Sequence, residues 1–128
     1  MKEKLKALLK NAYAPYSNYL VASIVETKDS KLFFGVNVEN ASYGGTICAE
    51  RNAINSALAN GYKKGDFKHL YLLNSSDKLG YPCFICRQTF SEFFDKDLLI
   101  TLYCMNDDEE TFKVEELLVK PFNKDNLK

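Results

Sequence analysis

The sequence has no surplus of either charge, because 17 lysine and arginine residues balance 17 aspartate and glutamate residues. A nucleic-acid-binding protein needs a basic surplus, so this balance argues against such a partner. No apolar run approaches the roughly 18 residues that span a bilayer, and no apolar segment follows the N-terminal lysines as in a signal peptide. We therefore expect a cytoplasmic protein that binds neither nucleic acid nor membranes.

Histidine is scarce and cysteine is irregularly spaced. The single histidine, His69, lies in an apolar run with no second ligand at helical or hairpin spacing, so we do not expect it to bind a metal. The four cysteines do not form the even framework of a small secreted disulfide protein, and they indicate metal or redox chemistry instead. With 128 residues and 46% apolar content, the chain 1–128 should form one domain around one core.

Hydrophobic periodicity and turn residues predict an α/β protein. The pattern favours helices over 2–13, 48–60 and 83–94, and strands over 20–27, 32–38, 67–74, 98–105 and 111–114, with a polar tail over 120–128. Thr46 is the expected N-cap of the second helix. This order fits a mixed sheet covered by helices.

The densest chemistry lies in two short motifs, Cys48-x-Glu50 and Pro82-Cys83-x-x-Cys86. Together they supply three thiols and one carboxylate. Three protein ligands with an open fourth position are typical of a catalytic zinc, and the carboxylate is then free to move protons. Both motifs are predicted at helix N-termini, where the helix dipole stabilises thiolates. We therefore expect the two helix starts to meet at one edge of the sheet.

Other functions fit parts of this pattern. The Cys83-x-x-Cys86 spacing alone also suits a thiol oxidoreductase, which would leave Cys48 without a role. A structural zinc module with Cys104 as fourth ligand would leave Glu50 without one. A nucleic-acid-editing deaminase would need a basic surface that the charge balance does not provide. The combined pattern, with the preceding proline, is that of zinc-dependent deaminases.

Two other groups of residues have a local explanation and a functional one. Asn37 and Glu39 share one side of a strand end, where they form either a solvated strand end or a site for a vicinal diol. Tyr13, Tyr16 and Tyr19 flank a proline turn, where they form either a small hydrophobic cluster or a wall that binds a ring.

Five segments resemble the small homotetrameric cytidine deaminases. The similarity covers nearly the whole chain in register: residues 13–17 (YAPYS), 35–41 (GVNVENA), 48–51 (CAER), 83–88 (CFICRQ) and 114–118 (VEELL). The resemblance implies a three-layer α/β/α fold with a mixed sheet of about five strands. It also implies hydrolytic deamination of cytidine and 2'-deoxycytidine to uridine and 2'-deoxyuridine in pyrimidine salvage.

The resemblance implies a role for each residue of the metal site. Cys48, Cys83 and Cys86 would bind one zinc ion per subunit, and Arg51 would hydrogen-bond their thiolates. Glu50 would move protons between water, ring N3 and the departing ammonia during attack at C4.

The resemblance likewise implies how a free pyrimidine nucleoside binds. Asn37 and Glu39 would bind the ribose hydroxyls, and the backbone of Ala49 would hold the carbonyl of the base. Tyr19 stands where the family usually has a phenylalanine near the substrate. Phe122 matches an aromatic residue that reaches the active site of a neighbouring subunit, so the resemblance implies a homotetramer with shared sites.

The chain departs from the family pattern at two places. Phe84 and Ile85 stand between the second and third ligands, where the family usually has two small residues. Their backbone N–H groups are unchanged, so zinc ligation is not affected, but the packing or subunit contact beside this turn must differ. The hydroxyl of Tyr19 needs a polar partner if it is buried.

Overall fold

The structure is a computed structural model that describes residues 1–127, which form five strands and three α-helices. The α-helices are α1 (Lys2–Leu9), α2 (Ala49–Ala59) and α3 (Phe84–Phe93), and the strands are β1 (Val21–Thr27), β2 (Leu32–Val36), β3 (Phe67–Asn74), β4 (Leu99–Tyr103) and β5 (Glu109–Lys113). Short 3₁₀ turns cover Tyr43–Gly45, Val114–Leu117 and Lys124–Leu127. The predicted tail over 120–128 ends at Lys128, which lies outside the described residues.

The five strands form one sheet in the order β2-β1-β3-β4-β5. Strands β3 and β4 are parallel, and the other neighbouring pairs are antiparallel. The predicted mixed sheet is therefore confirmed. Because β2 and β3 are both antiparallel to β1, they run in the same direction. Helices α2 and α3 follow these two strands, so both helices begin at the same edge of the sheet.

Strand alternation sends apolar side chains to both faces of the sheet, and helices cover both faces. Helix α1 packs Leu5 and Leu9 on one face, against Ala22, Ile24 and Leu73. Helices α2 and α3 cover the other face, where the fully buried residues include Val25, Ala53, Ile54, Leu70, Phe90 and Ile100. These three layers match the expected fold class.

A close approach between β2 and α2 depends on Gly35. A Cβ atom at this position would lie 2.3 Å from the carbonyl oxygen of Ala49 and 2.4 Å from the amide nitrogen of Ala53. Backbone atoms of α2 therefore occupy the space of a side chain. This contact fixes the first turn of α2 against the sheet, and that turn carries part of the predicted site.

The predicted N-cap of α2 and the predicted end of α1 were wrong. Helix α1 ends at Leu9 and not at residue 13, because the backbone of Tyr13 pairs with the segment that follows β2: Tyr13 N donates to Asn37 O at 2.9 Å, and Glu39 N donates to Tyr13 O at 2.8 Å. Cys48, not Thr46, is the N-cap of α2, because residue 47 is still extended and pairs with Val38.

Candidate metal centre and active site

The three candidate zinc ligands lie at the starts of two helices. Cys48 is the N-cap of α2, Cys83 is the N-cap of α3, and Cys86 lies in the first turn of α3. The first N–H groups of a helix have no partner within the helix, so they offer partial positive charge to nearby thiolates. The Sγ atom of Cys83 accepts a hydrogen bond from the amide of Cys86 at 3.5 Å.

The sulfur atoms have the spacing that a zinc ion requires. Cys48 Sγ lies 3.8 Å from Cys83 Sγ, which lies 3.5 Å from Cys86 Sγ, and all three sulfurs are within 4.8 Å of one another. Tetrahedral zinc with Zn–S bonds of about 2.3 Å places its sulfur ligands about 3.8 Å apart. Three cysteines therefore fit a zinc ion and leave one of its four positions for a non-protein ligand.

Charge within this group favours a thiolate at Cys48. The hydrogen bond from Cys86, helped by Arg51, lowers the pKa of Cys48 to about 5. The same interaction with Cys48 raises the pKa of Cys86. Cys48 is therefore the thiolate of this pair. Zinc binding would displace the thiol proton of Cys86, since thiols bind zinc in the deprotonated form.

Arg51 lies beside the thiol of Cys48. Its Nη2 atom lies 3.9 Å from Cys48 Sγ and donates to the carbonyl oxygen of Thr46 at 3.3 Å. Its buried Nε atom has no hydrogen-bond partner among residues 1–127. Three thiolates and a divalent cation carry one net negative charge, which a guanidinium at this distance reduces.

Glu50 is buried next to the thiols and has no cationic partner in direct contact within residues 1–127. Burial is the main cause that raises the pKa of Glu50, to about 7, and the charge of Cys48 adds to the effect. A carboxyl group with such a pKa can both accept and donate a proton near neutral pH.

A cavity of about 300 Å³ opens directly onto this carboxylate and two of the thiols. It lies at the sheet edge where α2 and α3 begin. Its lining includes Ser17, Tyr19, Asn37, Glu39, Cys48, Ala49, Glu50, Asn74, Gly80, Tyr81, Cys83 and Tyr103. The size suits a small molecule.

Asn37 and Glu39 both line the cavity, and the fold holds both side chains in place. Asn37 Oδ1 accepts from the amide of Val21 at 2.9 Å, and Asn37 Nδ2 donates to the carbonyl of Tyr19 at 2.7 Å. The carboxylate of Glu39 accepts from the amides of Tyr16 and Ser17 at 2.9 and 3.1 Å and from the Ser17 hydroxyl. The hydrogen bond from Ser17 is the main cause that lowers the pKa of Glu39.

The structure separates the three tyrosines of the proline turn. Tyr19 lines the cavity, whereas Tyr13 and Tyr16 do not. Tyr16 instead makes an edge contact with the ring of Tyr43, with centroids 6.1 Å apart. Ala49, the first residue of α2, also lines the cavity, and a helix leaves the amide at this position unpaired.

The periodicity of the sequence did not identify several cavity residues. Asn74 ends β3, and Gly80 and Tyr81 lie in the loop before α3, which local patterns describe only as a turn. Tyr103 is the last residue of β4. In the sequence, one feature pointed to these cavity residues: Asn74 ends a predicted strand shortly before the Cys83-x-x-Cys86 motif.

Cys104 and His69 are not part of the thiol cluster, and neither they nor Phe122 line the cavity. Cys104 is buried, and its Sγ atom lies 3.0 Å from Asn106 Oδ1, so it is not a fourth ligand in this geometry. Phe122 is 55% exposed and does not line the cavity of its own chain. His69 Nε2 lies 2.8 Å from Thr101 Oγ1, within the sheet.

Phe84 and Ile85 are strongly exposed, at 79% and 63%. The guanidinium of Arg87 lies over the ring of Phe84, 4.5 Å from its centroid. A surface groove contains Phe84, Val119 and Phe122. A patch of this kind, directly beside a ligand-bearing turn, is typical of a protein contact.

Comparison with known proteins gives one consistent family. The family model for the cytidine and deoxycytidylate deaminase zinc-binding region matches residues 1–102. A cytidine deaminase from Mycoplasma genitalium is 38% identical over 95% of this chain and 92% of its own. A crystal structure of cytidine deaminase from Burkholderia pseudomallei is 42% identical, covers 94% of each chain, and has a TM-score of 0.89.

Proposed function

Because the chain belongs to the cytidine and deoxycytidylate deaminase family, we propose that it hydrolyses cytidine and 2'-deoxycytidine to the uridine nucleosides and ammonia. The observation that carries this proposal is the position of Glu50. Its buried carboxyl group lies beside three thiols at zinc-binding spacing and faces a cavity of about 300 Å³. A structural zinc module would have no use for such a cavity.

Zinc bound by Cys48, Cys83 and Cys86 supplies a Lewis acid that makes water nucleophilic near neutral pH. Glu50 takes a proton from the water and gives it to ring N3, which makes C4 of the base electrophilic. The water oxygen would bond to C4, and Glu50 would carry the second proton of that oxygen to the amino group. The C4–N bond then breaks, ammonia leaves, and a carbonyl remains at C4. The pKa of about 7 that burial gives Glu50 suits both directions of transfer.

Substrate binding depends on groups that the fold already orients. Asn37 keeps one N–H donor after its bonds to Val21 and Tyr19, and the carboxylate of Glu39 keeps free lone pairs. We assign these groups to the sugar hydroxyls. The unpaired amide of Ala49 is assigned to the carbonyl of the base, with Arg51 reducing the charge of the thiolates.

We also propose a homotetramer with shared active sites, acting in cytoplasmic pyrimidine salvage. The groove that joins Phe84 and Phe122 supports a contact with another copy of the chain. The four cysteines are free thiols, which suits a reducing compartment. No helix within residues 1–127 is long and apolar enough to span a membrane.

One sample can test the central proposal. Purified protein should contain one zinc per chain and convert cytidine to uridine with release of an equal amount of ammonia. The change in absorbance of the base measures the conversion. Removal of the metal with a chelator should abolish turnover, and added zinc should restore it. Protein with one zinc per chain and no activity on either nucleoside would contradict the proposed function.

A further inference from the structure

A glycine and a tyrosine hydroxyl are in close contact within the cavity. Gly80 and Tyr19 both line it, and a Cβ atom on Gly80 would lie 2.5 Å from Tyr19 Oη and 3.0 Å from Asn74 Nδ2. The φ angle of Gly80 is not in the left-handed region, so the backbone itself does not require glycine. A side chain at this position would instead meet the Tyr19 hydroxyl, so the hydroxyl would have to move.

The hydroxyl of Tyr19 makes no hydrogen bond to another group within residues 1–127, although the hydroxyls of Tyr62, Tyr71 and Tyr81 each donate to a carboxylate. The Tyr19 side chain is at the rim, with 41% of the residue exposed. Burial, and then the charge of Glu50, raise the pKa of Tyr19, so the phenol keeps its proton. The Tyr19 hydroxyl can therefore both donate a hydrogen bond to a ligand in the cavity and accept one from it.

The main chain of Tyr19 is fixed on both sides. Its amide donates to Ser17 Oγ at 3.0 Å, and its carbonyl accepts from Asn37 Nδ2 at 2.7 Å. The backbone from which this side chain extends is therefore held by residues of the cavity wall. A binding group that is already held in place loses less conformational entropy when a ligand binds.

We propose that the Tyr19 hydroxyl, seated against Gly80, hydrogen-bonds the pyrimidine nucleoside and so determines how tightly substrates bind. Gly80 leaves space for this hydroxyl, because a side chain at position 80 would displace it. The inference rests on the proposed function and adds to it a polar contact beyond the sugar-binding pair. It assigns Tyr19 a part in binding and none in proton transfer.

The direct test is Tyr19→Phe, which removes the hydroxyl and keeps the ring. We expect KM for cytidine to rise about threefold to tenfold, the value of one neutral hydrogen bond, with kcat unchanged. Tyr16→Phe is the matched control, since it makes the same change in the same turn outside the cavity, and its KM should equal that of the unmodified protein. An unchanged KM in Tyr19→Phe, or a fall in kcat alone, would overturn the proposal.

A double-mutant cycle tests the contact with Gly80. Gly80→Ala should raise KM and lower the thermal unfolding midpoint when Tyr19 is present, and should have a smaller effect on both in the Tyr19→Phe background. The contact of the new Cβ with Asn74 is common to both backgrounds and cancels in the cycle. Equal effects of Gly80→Ala on the midpoint in both backgrounds would contradict the inference.

The two readouts also separate this inference from the proposed function. The unmodified protein is assayed first, and failure to deaminate cytidine counts against the proposed function alone. The unfolding midpoints still measure the coupling between Tyr19 and Gly80 in that case. Strong coupling supports the contact between the Tyr19 hydroxyl and Gly80, whichever reaction takes place in the cavity. Absence of coupling rejects that contact.

Discussion

At the scale of single residues, Glu50 shows how position changes the chemistry of an ordinary carboxylate. It lies in the first turn of α2, where a helix N-terminus favours negative charge, yet burial raises its pKa to about 7. Desolvation therefore outweighs the helix end. The thiols of Cys48, Cys83 and Cys86 lie beside it at zinc-binding spacing, so proton transfer and metal binding are assigned to separate residues.

Glu50→Gln should isolate proton transfer. Glutamine keeps the size and hydrogen-bonding reach but cannot accept and return a proton, so kcat should fall by more than the roughly 10² to 10⁴ of a single proton-transfer step. Zinc content should stay at one per chain. Turnover and zinc are measured on the same sample, with Glu3→Gln on the exposed side of α1 as control. Near-normal deamination by Glu50→Gln would contradict the assigned role.

The cysteines should divide into three ligands and one core residue. Cys48→Ser, Cys83→Ser and Cys86→Ser should each lower zinc content, because each removes a sulfur from the cluster. Cys104→Ser should keep one zinc per chain, since its sulfur contacts Asn106 and lies outside that cluster. Metal analysis of the four variants decides between these outcomes. Loss of zinc from Cys104→Ser would favour the structural-module alternative.

At the scale of secondary-structure elements, the site depends on two helices that start at one edge of the sheet. Strands β2 and β3 run in the same direction, so α2 and α3 begin side by side and bring Cys48 to 3.8 Å from Cys83. The position of α2 depends on its close approach to β2 at Gly35. A change at this contact should therefore weaken zinc binding.

Gly35→Ala should damage both stability and the metal site. The new methyl group would clash with backbone atoms of α2. Backbone atoms cannot rotate away as a side chain can, so β2 and α2 must move apart. We expect a loss of at least the roughly 1–3 kcal/mol of ordinary overpacking, and weaker zinc binding. Gly44→Ala is the control, because no atom of residues 1–127 lies within 4 Å of a Cβ there. Chemical denaturation and zinc titration are the measurements. Equal stability of the two variants would contradict this account.

At the scale of the whole molecule, the chain has an apolar surface next to its active site. Phe84, Ile85, Val119 and Phe122 are more than half exposed, and three of them line one groove. The net charge of zero leaves little repulsion to oppose contact between copies. Both properties support the proposed tetramer.

Phe122→Ala should raise KM while each subunit keeps its zinc, because the ring would act in the cavity of a neighbouring subunit and not in its own. Leu127→Ala, which removes another exposed side chain of the same tail, should leave KM unchanged. Kinetics at a protein concentration where sedimentation shows the assembled state provide the check. An unchanged KM in Phe122→Ala, or full activity of the unmodified protein in a sample that sedimentation shows to be monomeric, would contradict the shared site.

Local sequence patterns were sufficient for the chemistry and for most of the elements. Cys83 and Cys86 are three residues apart at the start of one helix, so the local helical geometry brings their sulfurs together. The predicted bounds of β3, residues 67–74, match the structure, because its apolar run is buried and ends at turn residues. Residue types and short-range spacing fixed these features before any folding was considered.

Only the tertiary structure decided what depends on distant segments. It ended α1 at Leu9, because Tyr13 finds backbone partners beyond β2, and it placed Tyr19 but not Tyr16 in the cavity. It also set Gly80 against the Tyr19 hydroxyl, 61 residues away in sequence. Such contacts form where the sheet order brings strand ends and loops together, and a local pattern carries no information about that order.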